Sequence, residues 1–326
     1  MDLTQRSPLR LRVVTDGRAG IENQALGLAE AIARLTPAEI DVRRIAWREP
    51  FDGLPARAKR LSMLGLGADA LDPGCDVWIG CGRASLPLSM RAKRRPDGPF
   101  VVQVQDPRLP PRLFDMVVAP AHDRLDGDNV FEIIGAPHRI TAERLAEAAP
   151  RFAPRIGPLP GPRVAAMIGG RSKAFDLTAV HAGLLGRRIA EAVSALGGAL
   201  LLTFSRRTPE PAKAAMSAML AETPGWIWDG EGENPLFAFL EAADHILVTE
   251  DSANMATEAA STGKPVHLLP MVPLRRAPKF ERLRESLEEI GAARAFSTPL
   301  QTWTYEPLDE TRRAAAAVLE AYGARR

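Results

Sequence analysis

Short apolar runs alternate along this chain with longer stretches whose apolar residues recur three or four apart. The first pattern marks buried strands, and the second marks helices that cover a sheet. Strands are predicted at Leu11-Arg12-Val13-Val14-Thr15 and over residues 40–45, 77–80, 100–104 and 116–119. The alternation then restarts, with strands over 164–168, 199–204, 226–228, 246–248 and 265–269. Helices are predicted over 22–34, 55–64, from the turn after 80 through 95, and over 177–196, 278–290 and 308–322. Shorter helices follow Pro209, run from Asn234-Pro235 to Glu241, and carry Met255, Ala259 and Ala260. Proline suits the first helical turn, where no N–H is needed. Near-continuous apolar strands alternating with helices imply parallel sheets.

Between the two series lies PRFAPRIGPLPGP, residues 150–162. So much proline and glycine reads as an interdomain linker. The chain is therefore expected to be α/β, with two Rossmann-like domains facing each other across a cleft. Residues 1–155 form the first and 156–326 the second, and the last helix is a candidate to pack back on the first. The length of 326 residues suits two domains. With 46% hydrophobic and 25% charged residues, the composition is that of a soluble globular protein. A formal net charge of +2 argues against a nucleic-acid partner. Cys75 and Cys81 are the only cysteines, which fits a reducing compartment. The amino-terminal residues lack the apolar core of a secretory leader, and no apolar run nears the roughly twenty residues of a membrane span. These features predict a cytoplasmic protein; attachment at the inner face of a membrane stays compatible with them.

Polar clusters recur where the predicted strands end. They are Asp16-Gly17-Arg18-Ala19-Gly20, Gly80-Cys81-Gly82-Arg83, Gln105-Asp106-Pro107-Arg108 and Pro120-Ala121-His122-Asp123. Open α/β sheets bind ligands at this edge. In the second half, Gly169-Gly170-Arg171-Ser172-Lys173 and Ser205-Arg206-Arg207-Thr208 take the same position. The fullest unit is DHILVTEDSANMATEAASTGKPVH, residues 244–267: a strand, the polar turn Thr249-Glu250-Asp251-Ser252, a small-residue helix and a second strand. Asp251 or Ser252 can cap that helix, whose free N–H groups suit a phosphate. Glu258 lies near its middle, where a carboxylate can reach ribose hydroxyls. An ordinary βαβ crossover would look much the same. Neither a complete GxGxxG nor a P-loop is present.

The Pro-rich linker, the second Gly-Gly turn and the helix ending in Glu-Ala-Ala-Ser-Thr-Gly-Lys-Pro resemble GT-B glycosyltransferases. Residues 258–266 look like the donor-binding segment of the enzyme that adds N-acetylglucosamine to lipid-linked peptidoglycan precursor. A wider match is to the family of the plant mitochondrial-fission (elongated-mitochondria) protein and its bacterial relatives. Asp16-Gly17 with Glu22-Asn23-Gln24, Gln105-Asp106-Pro107-Arg108, Pro120-Ala121-His122-Asp123, Ser205-Arg206-Arg207-Thr208 and Thr249-Glu250-Asp251-Ser252 with Met255 and Glu258 carry it. The resemblance implies a GT-B-like fold and says less about chemistry.

A nucleotide-sugar needs a diphosphate cradle, ribose contacts and a base slot. Gly169, Gly170, Ser172, Lys173, Ser205, Arg206, Arg207, Ser252 and Asn254 are the candidates for the cradle. Thr249, Asp251 and Met255 share its turn, and Glu258 is the candidate for the ribose. Arg can grip phosphate with two N–H groups, whereas Lys acts as a point charge. For an inverting transfer a base must stand near the acceptor hydroxyl. Asp16, Glu22, Asp106 and His122 are the candidates, with Glu22 and Asp106 ranked first because their turns should face the cleft. Against the peptidoglycan enzyme, Glu250 and Asp251 replace Arg and Ser, and Glu22 stands near the place of a His. Two carboxylates beside a diphosphate repel it by about 1 kcal/mol each under water-like screening. Pairing with Arg206 and Arg207, a divalent metal, or a different ligand would relieve this. Pairing is favoured, since no Asp-x-Asp motif is present and the cysteines lack metal-ligand spacing.

Basic clusters at Pro55-Ala56-Arg57-Ala58-Lys59-Arg60 and Arg91-Ala92-Lys93-Arg94-Arg95 suit either a solvated helix face or an anionic membrane surface. Three functions follow as expectations. The first is a metal-independent glycosyltransferase that takes a nucleotide-sugar as donor, needs no other cofactor and serves an unidentified, lipid-linked or soluble acceptor. The second is a sugar-nucleotide epimerase or hydrolase on the same scaffold. The third is a non-catalytic membrane-recruitment or scaffold protein.

Overall fold

A computed structural model of the chain describes residues 7–48, 51–55, 58 and 74–325. The chain divides into two compact units. One holds the described residues up to Arg139 and from Asp309 onward; the other is Ile140–Leu308.

The first unit begins with β1 (Leu9–Thr15), α1 (Ala19–Leu35) and β2 (Ala38–Arg44). It continues with β3 (Val77–Cys81), α2 (Leu86–Lys93), β4 (Phe100–Val104), β5 (Met116–Pro120) and β6 (Val130–Ile133). All six strands are parallel, in the order β2-β1-β3-β4-β5-β6. Every residue of β3, β4 and β5 is buried, which is why they read as apolar runs, broken only by Gln103 in β4. One face packs Leu28 and Ile32 of α1 together with Val318 and Tyr322 near the carboxyl end of the chain. The other packs Trp78, Met90 and Phe114. The basic helix expected over 55–64 lies outside the described residues, apart from Pro55 and Ala58. In the other basic cluster Lys93 pairs with Asp115, while Arg91, Arg94 and Arg95 are exposed.

The second unit runs through α3 (Ala142–Ile156), β7 (Arg163–Ile168), β8 (Phe175–Asp176), α4 (Ala179–Leu196), β9 (Ala199–Phe204), α5 (Glu210–Met219) and β10 (Gly225–Ile227). Then come α6 (Leu236–Ala242), β11 (His245–Thr249), α7 (Ala253–Ala260), β12 (Val266–Leu269), β13 (Val272–Pro273), α8 (Pro278–Glu289) and β14 (Ala293–Ala295). Its sheet is again six-stranded and parallel, ordered β10-β9-β7-β11-β12-β14. β8 and β13 pair as a separate antiparallel ribbon. The chain moves outward from β7 to β10 and then returns to β11 on the other side. The switch point therefore lies between β7 and β11, where such sheets open a crevice. The last helix, α9 (Glu310–Arg325), packs on the first unit.

One expectation fails. Much of the Pro-rich stretch 150–162 is helix, because α3 extends to Ile156 with Pro150 and Pro154 inside it. Each proline forfeits one intrahelical N–H, a loss worth about 3 kcal/mol in a helix interior. Thr141 opposes that cost by accepting the Arg144 N–H at 3.2 Å, and so does the buried stripe of Leu145, Ala148 and Ile156. Phe152 adds a ring contact to Trp226, which in turn meets Phe239 of α6. Proline content alone does not reveal a helix with a buried face.

Candidate functional site

At the switch point of the second unit, β7 ends in Gly169-Gly170 and β11 ends in Thr249. The Thr249 hydroxyl accepts the Gly169 N–H and donates to Asp251 Oδ1, both at 2.7 Å. Asp251 Oδ2 accepts the Gly170 N–H at 3.2 Å and lies 2.8 Å from Arg207 Nη2. Both glycines are required by space. A Cβ on Gly169 would stand 1.9 Å from Asp251 Oδ1, and one on Gly170 would stand 2.1 Å from the Arg207 carbonyl oxygen. β9 is lashed to the same corner. The Ser205 N–H donates to the Ile168 carbonyl at 2.8 Å, and the Thr208 hydroxyl donates to the Gly169 carbonyl at 2.6 Å. Asp251, Thr249 and the two glycines thus brace the corner from inside.

The pairing expected for the acidic turn is met by Asp251 with Arg207. Glu250 takes another route and accepts the Met271 N–H at 2.8 Å. Ser252 caps α7 by accepting the Met255 N–H at 3.4 Å. Ser172 shapes its own turn by accepting the N–H groups of Ala174 and Phe175, each at 3.1 Å. Asn254, Met255 and Glu258 are half-buried on the short helix that follows. Among the described residues Glu258 has no hydrogen bond or ion pair, and burial pushes its carboxyl up to about 7. Lys173 and Arg206 are exposed on the neighbouring loops with no ion-pair partner among the described residues.

In the first unit the tips of β1, β3 and β4 line a cavity of about 780 Å³ that includes Asp16, Arg18, Trp47, Arg83, Pro107 and Arg108. Asp16 pairs with Arg18 at 2.6 Å. Asp106 accepts the Arg108 N–H at 2.7 Å. Gln105 adopts a left-handed backbone (φ 72), unusual for a residue with a side chain. Its side-chain amide reaches Gln24 Oε1 at 3.0 Å, tying the β4 tip to α1. Glu22 is engaged differently from the role expected for it. Its two oxygens meet Nε and Nη2 of Arg44 at 2.8 Å each, and this bidentate pairing holds its carboxyl below the usual range. A carboxylate so stabilised is a weak proton acceptor. His122 is buried in the single helical turn Ala121–Asp123. Burial raises the Cys81 thiol far above its ordinary value, so it is not a nucleophile.

Trp47 and Arg83 were not singled out as site residues from the sequence, and neither were Arg275 and Arg276 beyond β13. Arg83 follows the glycine of a strand-end turn, which was a usable signal. Trp47 carried none. Among the described residues no group of three or more His, Cys, Asp or Glu side chains is placed to share a metal ion. No described helix is long and apolar enough to cross a membrane.

Known proteins share both the sequence and the fold. The mitochondrial fission protein ELM1 of Arabidopsis thaliana is 30% identical over 277 residues, spanning 76% of this chain and 64% of the plant protein. The chain thus spans somewhat less than two thirds of that relative's length. The protein RP120 of Rickettsia prowazekii (strain Madrid E) is 27% identical over 361 residues, covering 95% of this chain and 98% of its own. Among solved structures, MurG of Acinetobacter baumannii superposes with a TM-score of 0.53 at 15% identity, over 96% of this chain and all (100%) of that one. UDP-GlcNAc 2-epimerase of Methanocaldococcus jannaschii, in complex with UDP-GlcNAc and UDP, gives a TM-score of 0.53 at 12% identity, over 96% and 99% of the two chains. These likenesses identify the fold as that of GT-B glycosyltransferases and epimerases. The family model for mitochondrial fission ELM1 matches residues 19–322, and the chain belongs to that family.

Proposed function

We propose that the second unit binds a nucleotide-sugar at the β7/β11 switch point, and that the protein is a glycosyltransferase of the GT-B type. The observation that carries this reading is the braced corner. Asp251, Thr249 and Arg207 hold Gly169-Gly170 in a turn with no room for a side chain. That turn adjoins the amino end of α7, whose first N–H groups and dipole favour an anion. Lys173 and Arg206 supply charge for the diphosphate, and Glu258 supplies a carboxylate for the ribose hydroxyls. A protein of this fold has been solved with UDP-GlcNAc and UDP, which supports the choice of ligand class.

In the transfer, an acceptor hydroxyl oxygen bonds to the anomeric carbon as that carbon's bond to the diphosphate oxygen breaks. The nucleoside diphosphate leaves with the electron pair, and Lys173, Arg206 and the N–H groups of α7 take up the charge that develops. The acceptor proton passes to a general base. Glu22 is tied to Arg44 by two bonds of 2.8 Å, whereas Asp106 meets Arg108 only at 3.7 Å, so Asp106 is the proposed base. The acceptor is a hydroxyl compound, and the glycosyl group replaces its proton.

A second reading, non-catalytic binding with recruitment to a surface, is favoured by one observation. Glu22, Asp16 and Asp106 each meet an arginine, at 2.8, 2.6 and 3.7 Å, which leaves none of the three as a free base. The exposed Arg91, Arg94 and Arg95 would then serve as contacts to an anionic surface.

Thermal shift of the full chain with UDP, GDP, CDP, ADP and their sugars tests the binding. A ligand at a hundred times its Kd stabilises the folded chain by about 2.7 kcal/mol. Lys173→Ala and Arg206→Ala should each reduce the shift. A chain indifferent to every nucleotide overturns both the donor site and the transferase. Binding without any glycosylated product by mass spectrometry selects the second reading.

A further inference from the structure

The carboxyl edge of the second unit carries more positive charge than a diphosphate requires. Three loops meet there, joined by main-chain bonds. The Arg171 N–H donates to the Arg207 carbonyl at 3.1 Å, and the Leu274 N–H donates to the Ala174 carbonyl at 2.8 Å. The β8–β13 ribbon fixes the third loop, residues 274–277, against the first. Arg171, Lys173, Arg206, Arg275 and Arg276 project from these loops, exposed and without an ion-pair partner among the described residues. The diphosphate of a nucleotide-sugar carries two charges. Lys173, Arg206 and the α7 amino end already answer them.

The surplus sits beside a recess of about 430 Å³ that reaches back to Glu250, the residue after β11. Its floor is apolar, made by Phe175 and Phe280 in edge-to-face contact with ring centres 5.3 Å apart. Arg275, Arg276 and Arg284 line it, as do two carboxylates, Glu250 and Glu281. Glu250 is engaged by the Met271 N–H, and Arg284 reaches toward Glu288 at 3.8 Å. The volume suits one sugar ring against an aromatic floor, with adjacent guanidinium groups at the rim. Guanidinium forks match a carboxylate with two parallel hydrogen bonds.

We infer that the sugar carried by the nucleotide is itself acidic, a uronic acid whose carboxylate is held by Arg275 and Arg276. This rests on the nucleotide-sugar reading above and narrows it to a substrate class.

Calorimetry of the full chain with UDP, UDP-glucose and UDP-glucuronate decides, because the two sugars differ only in the oxidation state of C6. UDP-glucuronate should bind at least tenfold more tightly than UDP-glucose. The double variant Arg275→Ala, Arg276→Ala should erase that preference and leave the affinity for UDP within twofold of its starting value. Equal affinity for the two sugars, with UDP bound, overturns the inference and leaves the nucleotide site standing. A preference that survives in the double variant also overturns it. Failure of all three ligands overturns this inference, and the nucleotide reading falls with it when GDP, CDP and ADP also fail to bind.

Discussion

The Asp251 carboxylate and the Arg207 guanidinium meet at 2.8 Å across the switch point, the acid fully sealed from solvent and the base 43% exposed. Asp251 therefore shapes the site from behind, while Arg207 is the part a ligand can touch. The repulsion that two acidic residues would exert on a diphosphate is relieved by this pair and by the Met271 N–H that engages Glu250. Asp251→Ala would leave the Gly170 N–H and the Thr249 hydroxyl without their acceptor and Arg207 without its partner. Breaking a fully buried pair costs about 3–5 kcal/mol. Because Arg207 can turn to water, about 2–3 kcal/mol is expected. Urea denaturation reads the loss, and a variant as stable as the parent would show that the brace is unimportant.

Glu258 gives the stability an alkaline limb. Its carboxyl lies at about 7 in the folded chain against an ordinary 4.5. Below pH 4.5 both states hold the proton. As pH rises toward 7 the unfolded chain releases it first, so the Glu258 contribution to stability falls over that window and levels off above it. Full burial would make this up to about 3 kcal/mol, and the group's partial contact with solvent reduces it to roughly 1–2. Glu258→Gln should raise the stability of the unliganded chain at pH 8.5 by that amount and change little at pH 4. The same substitution should weaken nucleotide-sugar binding. Gains at both pH values would mean that the carboxyl is not perturbed.

Both sheets were legible because their central strands are buried on two faces. Ile79, Val117, Val164, Leu201 and Leu247 sit in short apolar runs, and the polar Arg12 and Gln103 that enter β1 and β4 are buried too. The polar turns at the strand ends were legible for a related reason, since a chain leaving a buried sheet reaches water there. The partners of those turns were not. The Gly169–Thr249 and Gly170–Asp251 bonds span 80 and 81 residues, and nothing local to either end encodes them. Glu22 read as a free first-turn carboxylate because Arg44, its partner 22 residues on, belongs to the edge strand β2. α3 was hidden by its prolines.

The acid limb comes from two histidines at the opposite end of the second sheet. His245 and His267 are buried on adjacent strands with Nδ1 and Nε2 at 3.3 Å, and the His267 ring meets Trp303 edge to face. Burial first, then the neighbouring His245 and Arg294, pushes His267 down to about 4. Burial lowers His245 as well. Above pH 6.5 both rings are neutral in either state. Below it the unfolded chain takes up protons that the folded chain refuses, so the histidines' contribution falls from pH 6.5 to 4, opposite in sign to that of Glu258. The loss should reach about 2–3 kcal/mol. His267→Asn should remove most of that slope in urea titrations at pH 7, 5.5 and 4.5. An unchanged slope would assign it to other groups.

The last helix tests whether the first unit can stand without residues from the far end of the chain. Val318 and Ala314 of α9 are fully buried against the first sheet, and Tyr322 meets Phe100 edge to face. Its first turn is fastened as well. Glu310 Oε2 accepts the Ile134 N–H at 2.6 Å, and the Thr311 hydroxyl accepts the His138 N–H at 3.1 Å. Glu310→Ala would strand the Ile134 N–H and release Arg313, for a cost of about 1–3 kcal/mol. Removing residues 309–326 would bare the apolar face of the sheet that Val318 covers, and no isolated sheet face of that kind is stable in water. Trp47 and Trp78 report on the first unit, and Trp226, Trp228 and Trp303 report on the second. In the truncated chain the first pair should lose its cooperative unfolding transition while the second set keeps one. With one set single-tryptophan and the other replaced by Phe, the two signals separate. A truncated chain whose Trp47 and Trp78 still unfold cooperatively at the parent's denaturant midpoint would show that α9 is an attachment and not part of the core.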